Sequence, residues 1–289
     1  IHTVAYRLNL MSAICTAFAA ALITLTIILL IAPSPGQRGR AGVGVIAGLA
    51  FATTPMVWGQ ATITEVHGLN IFFVALIVFL IAPIVFQPQR LAPSGQPVAM
   101  DHSRLSIAAL VWGLSLGNLL TIGALAPLFI IAWLKQYFSL QPSAFSLHLR
   151  SAIIPMLTFM IGLNVYWLVA LRAATQPLVN WGNAITLDSF LNQITAQLYR
   201  GYTFAVPLAD YPNRLIAVGQ MIVVQFGWPG VLWCSIGVYQ ALNSRNKNWR
   251  WLIGPIAIYS VFAFTYNTID ADLYFIPVWL FAAWAIARG

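Results

Sequence analysis

Between Leu8 and Gln37 this chain carries no charged residue, and the same holds between Leu215 and Ser244. An apolar run of about 18 residues or more reads as a membrane crossing, because a hydrocarbon core of about 30 Å needs about 20 helical residues. Such runs recur along the whole chain. Its residues are 60% hydrophobic and 7% charged, whereas soluble domains are about 45–50% apolar. The fold class is therefore all-α integral membrane, a polytopic helical bundle, with residues 1–289 forming a single membrane domain. Spans are expected at roughly 9–32, 42–58, 69–86, 105–117, 119–134, 151–171, 214–243, 251–267 and 273–287, about eight or nine crossings in all. The run 105–134 reads as one tilted helix or two short ones. Gly117-Asn118 at its middle favours a hairpin, with Asn118 satisfying backbone freed by the break. A second break is expected at Gly227-Trp228-Pro229-Gly230, because proline removes a helix hydrogen bond and clashes with the turn before it.

Alternating these spans sorts the charges. One set of loops carries Arg38, Arg40, Arg90, Arg104, Lys135, Arg150, Arg245, Lys247, Arg250 and Arg288, with Asp101 the one acid among them. The other carries Arg7, Arg172, Arg200 and Arg214 with Glu65, Asp188, Asp210, Asp270 and Asp272. Ten of fourteen basic residues thus share a side, which the positive-inside rule makes cytoplasmic. The rule ignores carboxylates, so gathering of the scarce acids on the outer side is separate information, and it is what an outward-opening polar site would look like. The +8 net charge comes from single residues at the ends of apolar runs, with no basic stripe, so no nucleic acid is expected. Cys15 and Cys234 lie in apolar runs without metal-ligand spacing. Residue 1 is Ile where a natural chain would begin with Met, so native sequence is expected to extend upstream.

Glu65 interrupts two apolar runs in a chain with only six acids. An ionisable group at membrane depth costs roughly 2.5–3.5 kcal/mol on insertion scales and tends to face a partner, a cavity or a substrate path. The alternative is a helix-capping interfacial glutamate near Trp58. The outer loop 172–213 is the longest on its side. Within it Phe190, Leu191, Ile194 and Leu198 recur at helical spacing, and Thr186 or Asp188 could cap the start, so an amphipathic helix along the membrane surface is expected. His67 either joins a site with Glu65 or makes interfacial hydrogen bonds. Asp270-Ala271-Asp272 imitates a metal-binding D-x-D, yet reads equally as a solvated turn.

Several segments, in order, resemble one family. Arg7-Leu8-Asn9-Leu10-Met11-Ser12-Ala13 is similar to an R-x-N-L-x-S-A helix start. Trp58-Gly59-Gln60-Ala61, Glu65-Val66-His67 and Leu69-Asn70 are similar to W-x-Q-A, E-V-Y and L-N. Gly113-Leu114 with Gly117-Asn118-Leu119-Leu120-Thr121 resembles G-L-x-x-G-N-H-x-T, Leu171-Arg172-Ala173 with Asn180-Trp181-Gly182 resembles L-R-A and N-W-G-D-P, and Asp270 to Pro277 resembles an acidic turn before a Y-F-x-P helix. On these residues the chain resembles a family of polytopic proteins related to protein O-mannosyltransferases, within the GT-C glycosyltransferase superfamily.

The resemblance implies a GT-C-like fold and transfer of a sugar from a polyprenyl-phosphate donor to a protein or glycan acceptor. The expected location is a bacterial plasma membrane, with the polar site on its outer face. By resemblance Glu65 is the second acidic residue of the site, and the main acid belongs to a first outer loop upstream of residue 1. A departing phosphate needs positive charge or a divalent cation such as Mg or Mn. Glu65, Asp270 and Asp272 are candidate ligands for such a cation, and Arg172, Asn180, Trp181, His67, Gln60 and Arg7 are candidate substrate contacts. Arg172 also reads as a helix-ending arginine, Arg7 as a helix-end anchor and Trp181 as an interfacial tryptophan. Four positions depart from the pattern: Leu119 stands for its histidine, Asn183 for its acid, Ala184 for its proline and His67 for its tyrosine. A catalytically inactive relative serving as an accessory subunit of a larger membrane complex is therefore the alternative. A lipid or solute transporter fits less well, because the carboxylates gather at one face.

Overall fold

The structure is a computed structural model that describes residues 3–30, 40–86, 102–138, 145–244 and 248–289. The expected connectors 33–40 and 87–103 fall largely outside the described residues. So do Arg38, Arg90, Asp101, Arg245 and Lys247, and the side chains of Arg40 and Arg150. Among the described residues every regular element is helical. They are α1 (Val4–Leu30), α2 (Arg40–Ala52), α3 (Pro55–Thr62), α4 (Val66–Phe86), α5 (His102–Leu116), α6 (Ala126–Phe138), α7 (Phe145–Leu163), α8 (Val165–Ala174), α9 (Leu187–Ile194), α10 (Tyr211–Asn243), α11 (Ile253–Thr265) and α12 (Ile276–Arg288).

Among the described residues six helical segments are long and apolar enough to cross a membrane, or seven if the pair α2 and α3, bent by 68°, is one broken span. That is below the eight or nine expected. The shortfall lies in α5 and α11, of 15 and 13 residues, which at about 1.5 Å per residue reach only roughly 20–22 Å. Both expected breaks are present. After α5 the chain turns at Gly117-Asn118, extends at Leu119 and re-forms as a 3-10 turn leading into α6. Gly227 interrupts α10 with φ 63° and ψ 168°, a conformation open to glycine, two residues before Pro229.

The core is built around α4. Of its most apolar window 61% is buried, against 11% for Ile153–Ala174 and for Leu208–Asn243. Ile71, Val74, Ala75, Ile77, Val78 and Ile81 of α4 share one buried cluster with Ile23 and Ile27 of α1, Leu128 of α6 and Leu280 of α12. By contrast Met156, Leu157, Ile161, Leu168, Leu215 and Ile216 are exposed along the peripheral helices. In water such faces would be adhesive patches, whereas in a bilayer they are the lipid-facing surface. The protein is an integral membrane helical bundle.

Contacts between helix ends reproduce the charge sorting read from the loops. At one end, Lys135 Nζ donates to the Val85 carbonyl and to Asn248 Oδ1, and Asn248 Nδ2 donates to the Phe86 carbonyl. At the other, Thr64 donates to Asn9 and Asn118 to Val66, while the Asn267 amide bonds the Tyr202 carbonyl. The first is the basic end and the second the acidic end. Helices α5 and α7 run parallel between them and meet at glycines. A Cβ on Gly113 would stand 2.2 Å from the Phe159 carbonyl oxygen, and one on Gly162 would stand 2.3 Å from that of Leu110. Small residues let backbones approach where lipid supplies no hydrophobic drive between helices. Gly113 of the G-L-x-x-G-N segment is thus a packing residue. Gly113→Val is expected to lower the thermal unfolding midpoint of the purified protein, with an overpacking cost of about 1–3 kcal/mol. Gly219→Ala, whose added Cβ meets nothing within 4 Å, is expected to leave the midpoint unchanged or to raise it slightly.

Candidate active site at the acidic end

Helix α3 ends at Thr62, the chain runs extended, and α4 begins at Val66. Glu65 occupies the last position before α4, where the helix N-terminus favours negative charge by about 0.3–1 kcal/mol. Both of its neighbours are tied down. The Thr64 hydroxyl donates to Asn9 Oδ1 of α1, and Asn118 Nδ2 donates to the Val66 carbonyl at 3.1 Å. Asn118 therefore braces a different helix, where its own hairpin was the expected partner. The Glu65 side chain is exposed and has no hydrogen bond or ion pair among the described residues. The backbone on both sides of Glu65 is therefore held while its carboxylate stays exposed.

One turn inside, His67 is buried at 4% exposure and meets Tyr274 edge-to-face at 5.5 Å. Glu65 and Asp270 both lie close enough to act electrostatically on its imidazole. Tyr274 contacts Tyr266 and Phe262, each at 5.2 Å, and Tyr266 reaches Tyr202 at 6.3 Å. The Asn267 amide donates to the Tyr202 carbonyl at 2.9 Å and its side chain to that of Ala205 at 3.3 Å. Arg214 Nη1 donates to the carbonyls of Phe264 and Tyr266 at 2.9 and 3.0 Å, holding the last turn of α11. The acidic turn 266–274, the outer loop and the start of α4 are thereby joined into one polar and aromatic cluster. Tyr266, Tyr274 and Arg214 took no part in the site expected from sequence. The tyrosine of the Y-F-x-P segment, a polar side chain ahead of an apolar helix, was the available signal.

The other expected contacts are more dispersed. Gln60 faces the interior from α3, buried at 7%, with Oε1 lacking a partner among the described residues. Arg7 is exposed in the first turns of α1, and Arg172 is exposed in the last turn of α8. A path of contacts links α8 to Glu65, because Tyr166 donates to the Leu116 carbonyl at 2.8 Å, two residues before Asn118. Asn180 Nδ2 donates to Asn183 Oδ1 at 2.9 Å, and Trp181 projects outward, 74% exposed. Asn183, the residue in place of the expected acid, is thus bonded within its own turn. Gly182 between them has φ 71°, and a Cβ there would lie 2.0 Å from Gln193 Oε1. Helix α9 follows, its start capped by Thr186, which accepts from the Ser189 amide. Phe190 stacks on Trp167 of α8 at 6.0 Å. Leu198 lies beyond α9, past left-handed Ala196, so the expected apolar stripe is divided in two.

Asp270 precedes a 3-10 turn, Ala271–Phe275, that contains Asp272, and its side chain makes no capping bond to it. With about three residues per turn, positions two apart point away from each other. Among the described residues no three His, Cys, Asp or Glu side chains are grouped to hold a metal ion. Glu65, Asp270 and Asp272 are thus not gathered into such a group among the described residues.

Residues 1–144 match the family described as the Protein O-mannosyl-transferase TMEM260 N-terminal domain. The Protein O-mannosyl-transferase TMEM260 of Mus musculus is 28% identical over 268 residues, covering 90% of this chain and 35% of that protein. The corresponding protein of Dictyostelium discoideum is 24% identical over 291 residues, covering 96% of this chain and 33% of that protein. The chain therefore spans about a third of the length of the curated relatives it matches. No solved structure matches it. Taken with the helical bundle and the cluster at its acidic end, these likenesses make the chain an integral membrane protein related to the protein O-mannosyl-transferases.

Proposed function

We propose that this chain is the membrane-embedded part of a glycosyltransferase that moves a mannosyl group from a polyprenyl-phosphate carrier to a hydroxyl of a protein acceptor on the outer face. One observation supports this above the rest. Segments far apart in sequence, each carrying the family resemblance, converge on Glu65: Asn9 through Thr64, Asn118 through Val66, and Asp270 with Tyr274 through His67.

In this reading the acceptor oxygen attacks the anomeric carbon while its proton passes to a carboxylate, and the carbon–oxygen bond to the phosphate breaks. The phosphate leaves with the bonding electron pair, which positive charge must stabilise. Glu65 is the second acid of the site and orients the acceptor. Arg172 is the phosphate contact, because a planar guanidinium matches phosphate oxygens in pairs. No step is routed through a metal. The bond of Asn183 to Asn180, at the position where the resemblance expects an acid, favours a second reading. In it the chain is an inactive relative that serves a larger assembly.

Transfer of labelled mannose from polyprenyl-phosphate mannose to an acceptor peptide, measured on the full-length protein, separates the two. Glu65→Gln is expected to lower kcat about 100-fold, the scale of a misoriented reactant. Arg172→Gln is expected to raise KM for the donor, with a loss of about 1.5–3 kcal/mol in kcat/KM for a charge-assisted contact, and Arg172→Lys to recover only part of it. Tyr274→Phe, which keeps the ring against His67, is expected to cost less than 10-fold in kcat/KM, the loss of about one net hydrogen bond. Wild-type transfer by both Glu65→Gln and Arg172→Gln would remove the site. Absent transfer together with a stoichiometric co-purifying complex would establish the second reading.

A further inference from the structure

The basic end holds a feature that the Glu65 cluster does not explain. A cavity of about 260 Å³ opens there between the ends of α1, α4 and α12 and the 3-10 turn Asn248–Leu252. One wall is apolar, made by Ile27, Leu30 and Phe86, and the other carries Asn248, Trp249 and Arg288. Two groups on the polar wall are donors without an acceptor. Trp249 Nε1 and Arg288 Nε are both buried and have no hydrogen-bond partner among the described residues. A buried donor left unpaired bears the full desolvation cost of its group, so such groups are nearly always matched by protein, water or ligand.

The wall offers them nothing. Asn248 Oδ1 accepts from Lys135 Nζ at 3.2 Å, so the nearest side-chain oxygen is turned toward another cation. Among the described residues no carboxylate lines the cavity. The Arg288 guanidinium lies over Trp284, 5.8 Å from the ring, which fixes its plane. Two orphaned N–H groups, one of them cationic, with a lysine behind them, call for a ligand with anionic oxygen. Guanidinium groups suit phosphate in particular. The volume is just below the ~300–1,000 Å³ of small-molecule pockets. It admits a headgroup and leaves acyl chains to run along the apolar wall. Basic pockets between membrane helices on the positive side are where phospholipid headgroups bind.

We infer that this cavity is a binding site for the phosphate of an anionic lipid headgroup, held by Arg288 and Trp249. The test is native mass spectrometry of the purified full chain, released from bilayer discs that contain equal phosphatidylglycerol and phosphatidylcholine. The wild type is expected to retain one phosphatidylglycerol at least 10-fold in preference to phosphatidylcholine. Arg288→Gln is expected to abolish the preference. Trp249→Phe, which keeps the ring and removes only the N–H, is expected to weaken it several-fold with an unchanged melting temperature. Arg250→Gln, an exposed residue in the same turn, is expected to leave the preference intact. Equal retention of the two lipids by the wild type, or equal losses in Arg288→Gln and Arg250→Gln, would overturn the inference. Displacement of the lipid by millimolar inorganic phosphate would assign the cavity to the free anion and overturn the lipid reading.

Discussion

A backbone N–H freed inside a bilayer has no water to bond, so each break in a membrane helix must be met by another part of the chain. The Met56 amide, in the first turn of α3 after the bend from α2, donates at 2.9 Å to Oε1 of Gln225. Gln225 lies two residues before Gly227, where α10 itself is broken. Two interruptions on separate spans thus meet, and the buried glutamine of one completes the backbone of the other. Trp279 of α12 reaches the Met56 sulfur at the same place, at 3.4 Å. With α3 held there, its far end at Thr62 delivers Glu65 to the mouth of the bundle.

The bends and the packing glycines are linked in the same way. A continuous α2–α3 helix would carry the chain straight on, and residues 63–65 would not return to Asn9 at the top of α1. The Thr53-Thr54-Pro55 corner redirects it, with the Thr54 hydroxyl bonding the Phe51 carbonyl at 2.9 Å. On the other side, the Gly113–Gly162 crossing lets α7 lie against α5 closely enough for Tyr166 of α8 to reach the end of α5 at Leu116. Both devices act on the residues that flank Glu65, and neither touches the carboxylate.

Much of this was legible in the sequence, because bilayer physics leaves few alternatives. Uncharged runs became helices, Gly117-Asn118 and Gly227 became breaks, and Thr186 became a cap. The pattern of single arginines sorted the loops onto the ends where the contacts now place Lys135 and Asn9. What stayed hidden depended on distance between segments. That Asn118 would serve Val66, 52 residues away, has no periodic signature. That Asp270 would stand before a 3-10 turn and Asp272 inside it is not announced by an acid-x-acid spacing. The length shortfall in α5 and α11 was hidden for a related reason. Hydropathy counts apolar residues, whereas the helix begins and ends where its backbone finds caps.

Seen as a charge problem, the bundle keeps its acids and its unmatched donors apart. Glu65 does not bear the full cost of an intramembrane carboxylate, because the corner after α3 lifts it to the exposed rim and α4 presents its N-terminus to it. His67, two residues on, is already buried and packs edge-to-face on Tyr274. At the opposite end the imbalance is reversed, with Arg288 Nε and Trp249 Nε1 buried as donors and no carboxylate lining the cavity among the described residues. A bundle arranged this way leaves negative charge to be met from outside at one end and positive charge to be met at the other.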